Sequence, residues 1–232
     1  MRLIGLLIVS VFCVSAYAKE GRPFGWLSEK IVEYMPVGEI RILYNPRIAN
    51  PIERKREDEG FVYKIILETK LNVGDSEVYE VEFFEGLSVD PSFSIYRNKN
   101  GERKALIEVG GTELVVPGNG YVYVSGHTNS IFNVRRKFQY VDGEFIEIEQ
   151  PYKYVGLSTK TNADIDIFTT KNQKNKVAHL PSGTKIEVLI NDGDFFLIRT
   201  GFGLVGWYLL KEVVPIGLEN DSPIDGLYFA GD

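Results

Sequence analysis

The sequence predicts an all-β fold of two domains, in which a β-sandwich or barrel-like N-terminal domain with one short helix precedes a smaller barrel. Three observations carry this prediction. Short runs alternate between apolar and polar residues, and turn signals separate them at intervals of about 8 to 12 residues. The chain also contains 13 Tyr and 14 Phe, which favour strands. Together these patterns are typical of sandwiches and barrels.

The N-terminus has the features of a secretory signal peptide. A charged Met1-Arg2 start precedes an apolar run at residues 3–14, and Ala16-Tyr17-Ala18 supplies small residues where a signal peptidase cleaves. We therefore expect residues 1–18 to be removed, leaving an exported protein that begins at Lys19 in the periplasm or outside the cell. Phe12 before Cys13 argues against a lipoprotein signal. No later run is apolar for the roughly 20 residues that a spanning helix needs, so stable membrane insertion is not expected.

Charge narrows the classes of partner. The chain has 32 Asp and Glu against 26 Lys and Arg, a formal net charge of −6. An acidic protein is a poor match for nucleic acid or an anionic membrane surface.

The first elements after the signal peptide are predicted to be a helix, a strand and a loop. Residues 26–35 place Leu27, Ile31, Tyr34 and Met35 near one helical face. Residues 38–44 alternate as a strand, with Ile40 and Ile42 on one side. Residues 53–60 carry charges of both signs and no apolar residue, which indicates an exposed loop or mobile segment.

Three hairpins follow before residue 150. Residues 61–71 pair with 77–84, and 93–97 pair with 104–109 across Asn100-Gly101. Two further strands are expected at 113–116 and 120–126. The third hairpin turns at Asp142-Gly143, which sets Tyr140 opposite Phe145 and Arg136 opposite Glu149.

The C-terminal part shows the densest succession of strands and turns, between residues 157 and 213. We expect an N-terminal domain at 19–153, a second domain at 154–215 and an acidic tail at 216–232 that is poorly ordered, except for apolar residues at 227–229. The aromatic linker at 150–156 predicts domains that pack together.

This region resembles the bacterial Src-homology-3 (SH3-like) family. The resemblance is carried by the Pro181-Ser-Gly183 turn, the strand Thr184-Lys-Ile-Glu-Val-Leu189, the Asp192-Gly193 hairpin, the strand Phe195-Phe-Leu-Ile-Arg-Thr200 and the closing Gly203-Leu-Val-Gly-Trp207. It covers about a quarter of the chain. The resemblance implies a small five-stranded barrel that binds cell-wall peptide or another protein. Asp164-Ile-Asp-Ile-Phe168 departs from the first strand that is common in this family.

The resemblance also indicates where a ligand would bind. Acidic and aromatic residues around the hairpin and the final strand are expected to contact it: Asp192, Asp194, Phe195, Trp207 and Tyr208. The alternative is that Phe196 and Trp207 fill the core of the barrel.

Catalytic and metal-binding chemistry has little support in the sequence. The chain has two histidines, His127 and His179, and the mature chain would have no cysteine, which excludes a His-rich zinc site but leaves a carboxylate-assisted site open. His127 follows a strand within a polar cluster and is a candidate ligand-binding residue or base. Asn162, Asp164 and Asp166 have the spacing for one face of a strand but lack the glycine and glutamate of a calcium loop. No cofactor is expected.

Three functions therefore compete. The first is a non-catalytic exported binding protein for a protein, peptide or peptidoglycan ligand. The second is a cell-envelope hydrolase whose β-rich N-terminal domain is targeted by the SH3-like part. The third is an inhibitor or immunity-type protein that blocks another protein's active site.

Overall fold

The computed structural model describes residues 24–230, so the predicted signal peptide lies outside the described residues. Within this range the chain forms seventeen β-strands and no α-helix, with one 3-10 turn at Glu219–Asp221. The all-β prediction is confirmed. No helix between residues 24 and 230 has the length and apolar character needed to cross a membrane.

The strands are numbered in chain order. They are β1 (Ser28–Met35), β2 (Gly38–Tyr44), β3 (Ala49–Asp58), β4 (Phe61–Thr69), β5 (Tyr79–Phe84), β6 (Ser92–Lys99), β7 (Glu102–Gly110), β8 (Glu113–Val116), β9 (Tyr121–Gly126), β10 (Val134–Val141), β11 (Glu144–Glu147), β12 (Lys153–Lys160), β13 (Ile165–Phe168), β14 (Lys176–Leu180), β15 (Lys185–Asp192), β16 (Phe195–Thr200) and β17 (Val205–Leu209).

These strands form three sheets. The first has the order β1-β2-β8-β9-β10-β11, the second β3-β4-β5-β6-β7 and the third β12-β15-β16-β17-β13-β14. Neighbouring strands are antiparallel except β2 and β8, which are parallel. The chain therefore leaves the first sheet after β2, builds the whole second sheet, and returns at β8.

The first two sheets share one hydrophobic core. The first sheet contributes Ile40, Ile42, Leu114 and Val122, and the second contributes Tyr79, Val81, Phe83 and Phe93. Each of these side chains is at most 2% exposed. The alternation predicted for Ile40 and Ile42 is confirmed, since both side chains are fully buried.

The third sheet has its own core, which the C-terminal segment completes. Ile167, Val188, Phe196 and Ile198 are fully buried on one face of this sheet. Ile224 and Leu227 of the segment after β17 are also fully buried there. The exception predicted at 227–229 is confirmed for Leu227, which packs in this core together with Ile224, and the poor order predicted for the rest of the tail stays a prediction. The domain boundary predicted at 153/154 lies at the start of β12 and stays a prediction.

The third sheet does not close, so the predicted barrel is wrong. Its edges are β12, with eight residues, and β14, with five. The two edges approach each other only near Thr161, where Gly183 N donates to Thr161 O at 2.8 Å. Gly183 lies in the turn between β14 and β15, and the described strands contain no ladder between β12 and β14.

The predicted helix at residues 26–35 is wrong, because β1 occupies Ser28–Met35. Its pairing with β2 shifts between Ile31 and Glu33, which marks a β-bulge. The extra residue lets Val32 and Met35, three positions apart, both pack on the first core. Of the residues on the predicted helical face, Met35 packs on this core, whereas Ile31 and Tyr34 are 42% and 71% exposed.

The predicted loop at residues 53–60 is also wrong, since β3 extends from Ala49 to Asp58 as an edge strand of the second sheet. Its charged side chains pair across the sheet. Arg54 donates to Glu68 at 2.9 Å and to Glu80 at 2.6 Å, and Arg56 donates to both carboxylate oxygens of Glu82. Charged side chains of this kind also discourage edge-to-edge pairing with another molecule.

The hairpin predictions are largely confirmed. The pairs β4–β5, β6–β7 and β10–β11 are all antiparallel. Asp142 and Gly143 have φ values of 53° and 92°, and Tyr140 lies opposite Phe145 with ring centroids 5.2 Å apart. Arg136, however, pairs with Glu147 at 2.6 Å instead of Glu149, because β11 ends at Glu147.

Candidate functional site

The hairpin between β15 and β16 positions the main candidate site. Gly193 at its turn has φ 60°, in the left-handed region that glycine adopts without strain. The buried Asn191 side chain donates to Gly193 O at 2.6 Å and to Phe195 O at 3.2 Å. Asp192 and Phe195 face each other across the hairpin. Their positions are therefore fixed by the turn and by the strand pairing.

Strand alternation separates the aromatic residues of β16 and β17 into two faces. Phe196 is fully buried in the core, whereas its neighbour Phe195 is half-buried on the opposite, outward face. Trp207 lies opposite Leu197 and shares that outward face. Trp207 is thus outside the core, and the alternative in which it fills the core does not hold.

A lysine that the sequence analysis did not single out lies against these residues. Lys171 Nζ is 4.6 Å from the ring centroid of Trp207, 5.8 Å from that of Phe195 and 6.0 Å from that of Tyr152. The same ammonium forms an ion pair with Asp192. We call Tyr152, Asp192, Phe195 and Trp207 the aromatic-acidic cluster. It is a cation-binding arrangement, because aromatic faces and a carboxylate both attract an ammonium.

The structure does not bring all five predicted residues into this cluster. Asp194 is exposed at the turn, where its backbone carbonyl accepts from Leu210 N at 3.0 Å. Tyr208 lies opposite Phe196 and packs against the core, so it is on the other side of β17 from Trp207. Burial raises the pKa of the Tyr208 phenol. A Tyr208 variant would therefore disturb the core as well as any ligand contact.

Tyr208 lines a separate, acidic cleft of about 480 Å³, together with Asp164, Asp166 and Glu212. Asp166 accepts from Lys176 at 2.6 Å and contacts His179 Nδ1 at 2.8 Å. Lys176 first, and then His179, lower the pKa of the Asp166 carboxyl. Asp166 is thus paired with side chains of the protein itself, and between residues 24 and 230 no three His, Cys, Asp or Glu side chains are grouped to hold a metal ion.

His127 lies in a third place, a cleft of about 340 Å³ that Val37 and Arg135 line together with Leu157 of β12. Its ring contacts the Tyr228 ring at 6.0 Å, and its Nε2 is buried without a hydrogen-bond partner among the described residues. The Ser125 hydroxyl donates to Glu113 at 3.4 Å instead of to His127. Between residues 24 and 230, the structure thus shows no nucleophile paired with this histidine.

Comparison of the chain with protein-family models, with characterised protein sequences and with solved structures finds no match. Any functional assignment therefore has to come from the chemistry of the chain itself.

Proposed function

We propose that this protein is a non-catalytic, exported binding protein that recognises a protein, peptide or peptidoglycan ligand through the aromatic-acidic cluster. In this proposal the third sheet acts as an open SH3-like module, and the first two sheets form a β-sandwich that supports it. The observation that carries the proposal is the convergence of three aromatic rings and a carboxylate on one outward face.

The core of the third sheet does not need these aromatic residues. Phe196, Ile198 and Val188 already fill it and are fully buried. Tyr152 is 50% exposed, and Phe195 and Trp207 are half-buried. Large aromatic side chains that are held rigidly at a surface offer contact area at low entropic cost, which suits peptide recognition.

The proposed classes of ligand follow from the net charge of the chain and from its predicted export to the cell envelope. The net charge of −6 disfavours nucleic acid, and the predicted signal peptide favours a partner in the cell envelope. An inhibitor of another envelope protein would use the same kind of surface. The hydrolase alternative is not favoured, because His127 has no paired nucleophile or carboxylate in the part of the chain that the structure describes.

Replacing Trp207 by leucine should weaken ligand binding about 30-fold, because truncating a central aromatic contact costs about 2 kcal/mol or more. Leucine keeps apolar contact with the sheet, so the fold should be retained. Binding is measured by sedimentation with isolated peptidoglycan and by pull-down from an envelope extract, each with the mature chain.

Phe202→Leu is the matched control, because Phe202 is an aromatic residue of the neighbouring turn that is 91% exposed. It should bind like the wild type. The proposal fails if Trp207→Leu binds as well as the wild type in both assays, or if Phe202→Leu alone loses binding.

A further inference from the structure

Lys171, which occupies the aromatic-acidic cluster, lies in a loop, whereas three of the four residues of the cluster lie in strands. Asp192 ends β15, Phe195 begins β16 and Trp207 lies within β17, so strand pairing fixes all three. Lys171 lies in the connection between β13 and β14, which pairs with no strand. These three residues are fixed in position, whereas Tyr152 lies just before β12 and Lys171 reaches the cluster on a flexible side chain.

The connection at residues 169–175 is closed by its own hydrogen bonds. Thr169 N donates to Asn175 O at 2.9 Å, and Lys174 N donates to Asn172 Oδ1 at 3.1 Å. The fold of this loop does not depend on where the Lys171 side chain points. The lysine can therefore leave the cluster without unfolding the loop.

The contacts of Lys171 are also exposed to solvent and therefore weak. The side chains of Lys171 and Asp192 are 36% and 35% exposed, so water screens their ion pair. Cation–π contacts at exposed sites add little stabilisation energy. A ligand ammonium with additional contacts to the cluster can displace such an occupant.

We propose that the aromatic-acidic cluster binds the primary ammonium of a lysine-bearing peptide, and that Lys171 occupies this site as an internal competitor until the peptide displaces it. The inference rests on the proposed function and deepens it, since it names the ligand group and a regulatory contact. A lysine carries a compact ammonium on a long flexible side chain, so a lysine of the peptide can reach a site that Lys171 already fills.

The test uses two peptides that differ in one charge, acetyl-Gly-Gly-Lys-Gly-Gly-amide and the same peptide with norleucine for lysine. Binding is followed by NMR titration of the Trp207 indole N–H in the mature chain. The lysine peptide should bind more tightly than the norleucine peptide. Lys171→Met should bind the lysine peptide about fivefold to tenfold more tightly than the wild type, because the substitution removes the competing ammonium.

Two variants serve as controls. Lys174→Met removes a positive charge from the same loop outside the cluster and should leave affinity unchanged. Lys171→Arg keeps the charge and should bind close to the wild type. Circular dichroism of each variant confirms that the fold is kept.

The outcomes separate this inference from the proposed function. If both peptides bind equally well and both need Trp207, the cluster does not recognise the ammonium group. The proposed function as a binding surface is then retained. If Lys171→Met binds the lysine peptide as well as the wild type does, or more weakly, Lys171 is not a competitor for the site. Absence of any Trp207 shift with either peptide, in the wild type and in Lys171→Met, overturns the whole inference, and the peptidoglycan and extract assays then decide the proposed function.

Discussion

Replacing Leu227 by alanine should lower the free energy of unfolding by about 2 to 5 kcal/mol, because it leaves a cavity in the core of the third sheet. Leu227 is 17 positions beyond the core residue Leu210 and is fully buried. The buried Ser222 hydroxyl donates to Ile224 O at 3.0 Å and helps to hold this segment in place. The surrounding backbone therefore cannot collapse freely into the cavity.

Urea unfolding followed by Trp207 fluorescence in a Trp26→Phe background measures this loss on the third sheet. Leu218→Ala is the matched control, since Leu218 lies in the same segment and is 52% exposed. It should change stability by less than about 0.5 kcal/mol. Equal stability of Leu227→Ala and the wild type would show that the C-terminal segment does not belong to this core.

Replacing Glu82 by glutamine should cost about 2 to 3 kcal/mol of stability in the second sheet. The Glu82 side chain is only 2% exposed, and it accepts from Arg56 at 2.9 and 3.0 Å and from Arg103 at 2.8 Å. The glutamine keeps the shape but removes the charge, so Arg56 is left with Asp58 and Arg103 with Glu80 as carboxylate partners, and neither replaces the buried contact with Glu82. Because the arginines are about a quarter exposed, solvent reduces the loss below that of a fully buried pair.

Glu68→Gln tests whether burial causes this effect. Glu68 also binds an arginine, Arg54, at 2.9 Å, but its side chain is 36% exposed. We expect a loss below about 1 kcal/mol in chemical unfolding. Similar losses for Glu82→Gln and Glu68→Gln would contradict a special role for the buried carboxylate.

The hairpins could be predicted from the sequence because their signals are local. Asn100-Gly101 and Asp142-Gly143 adopt positive φ, and the alternation on either side fixes which residues face the core. The register of Tyr140 with Phe145 follows from the length of one turn.

Features that depend on distant partners could not be predicted in this way. The strand β3 contains no run of apolar residues, and Arg56 is held there by Glu82, 26 positions away. The helix predicted at residues 26–35 rested in part on Ile31 and Tyr34, which are exposed, whereas the bulge in β1 turns Val32 and Met35 toward the core. Closure of a barrel depends on pairing between two edge strands, here β12 and β14, and on their tilt and stagger, which no local pattern records.

The candidate site was predicted in part. The sequence indicated Asp192, Phe195 and Trp207, which the structure places on one face. It could not separate Tyr208 from them, because neighbouring residues of a strand point to opposite faces and the inward one was not identifiable. Lys171 had no signal of its own, since a lysine in a polar loop is ordinarily solvated.

The most direct test of the account is an NMR map of the mature protein titrated with soluble peptidoglycan fragments and with the lysine peptide. If the aromatic-acidic cluster is the binding site, at least one of these ligands shifts the Trp207 indole N–H and the backbone amides of Asp192 and Phe195, while the amides around His127 stay unchanged. Shifts confined to the cleft that contains His127 and Arg135, with no change at Trp207, would contradict it.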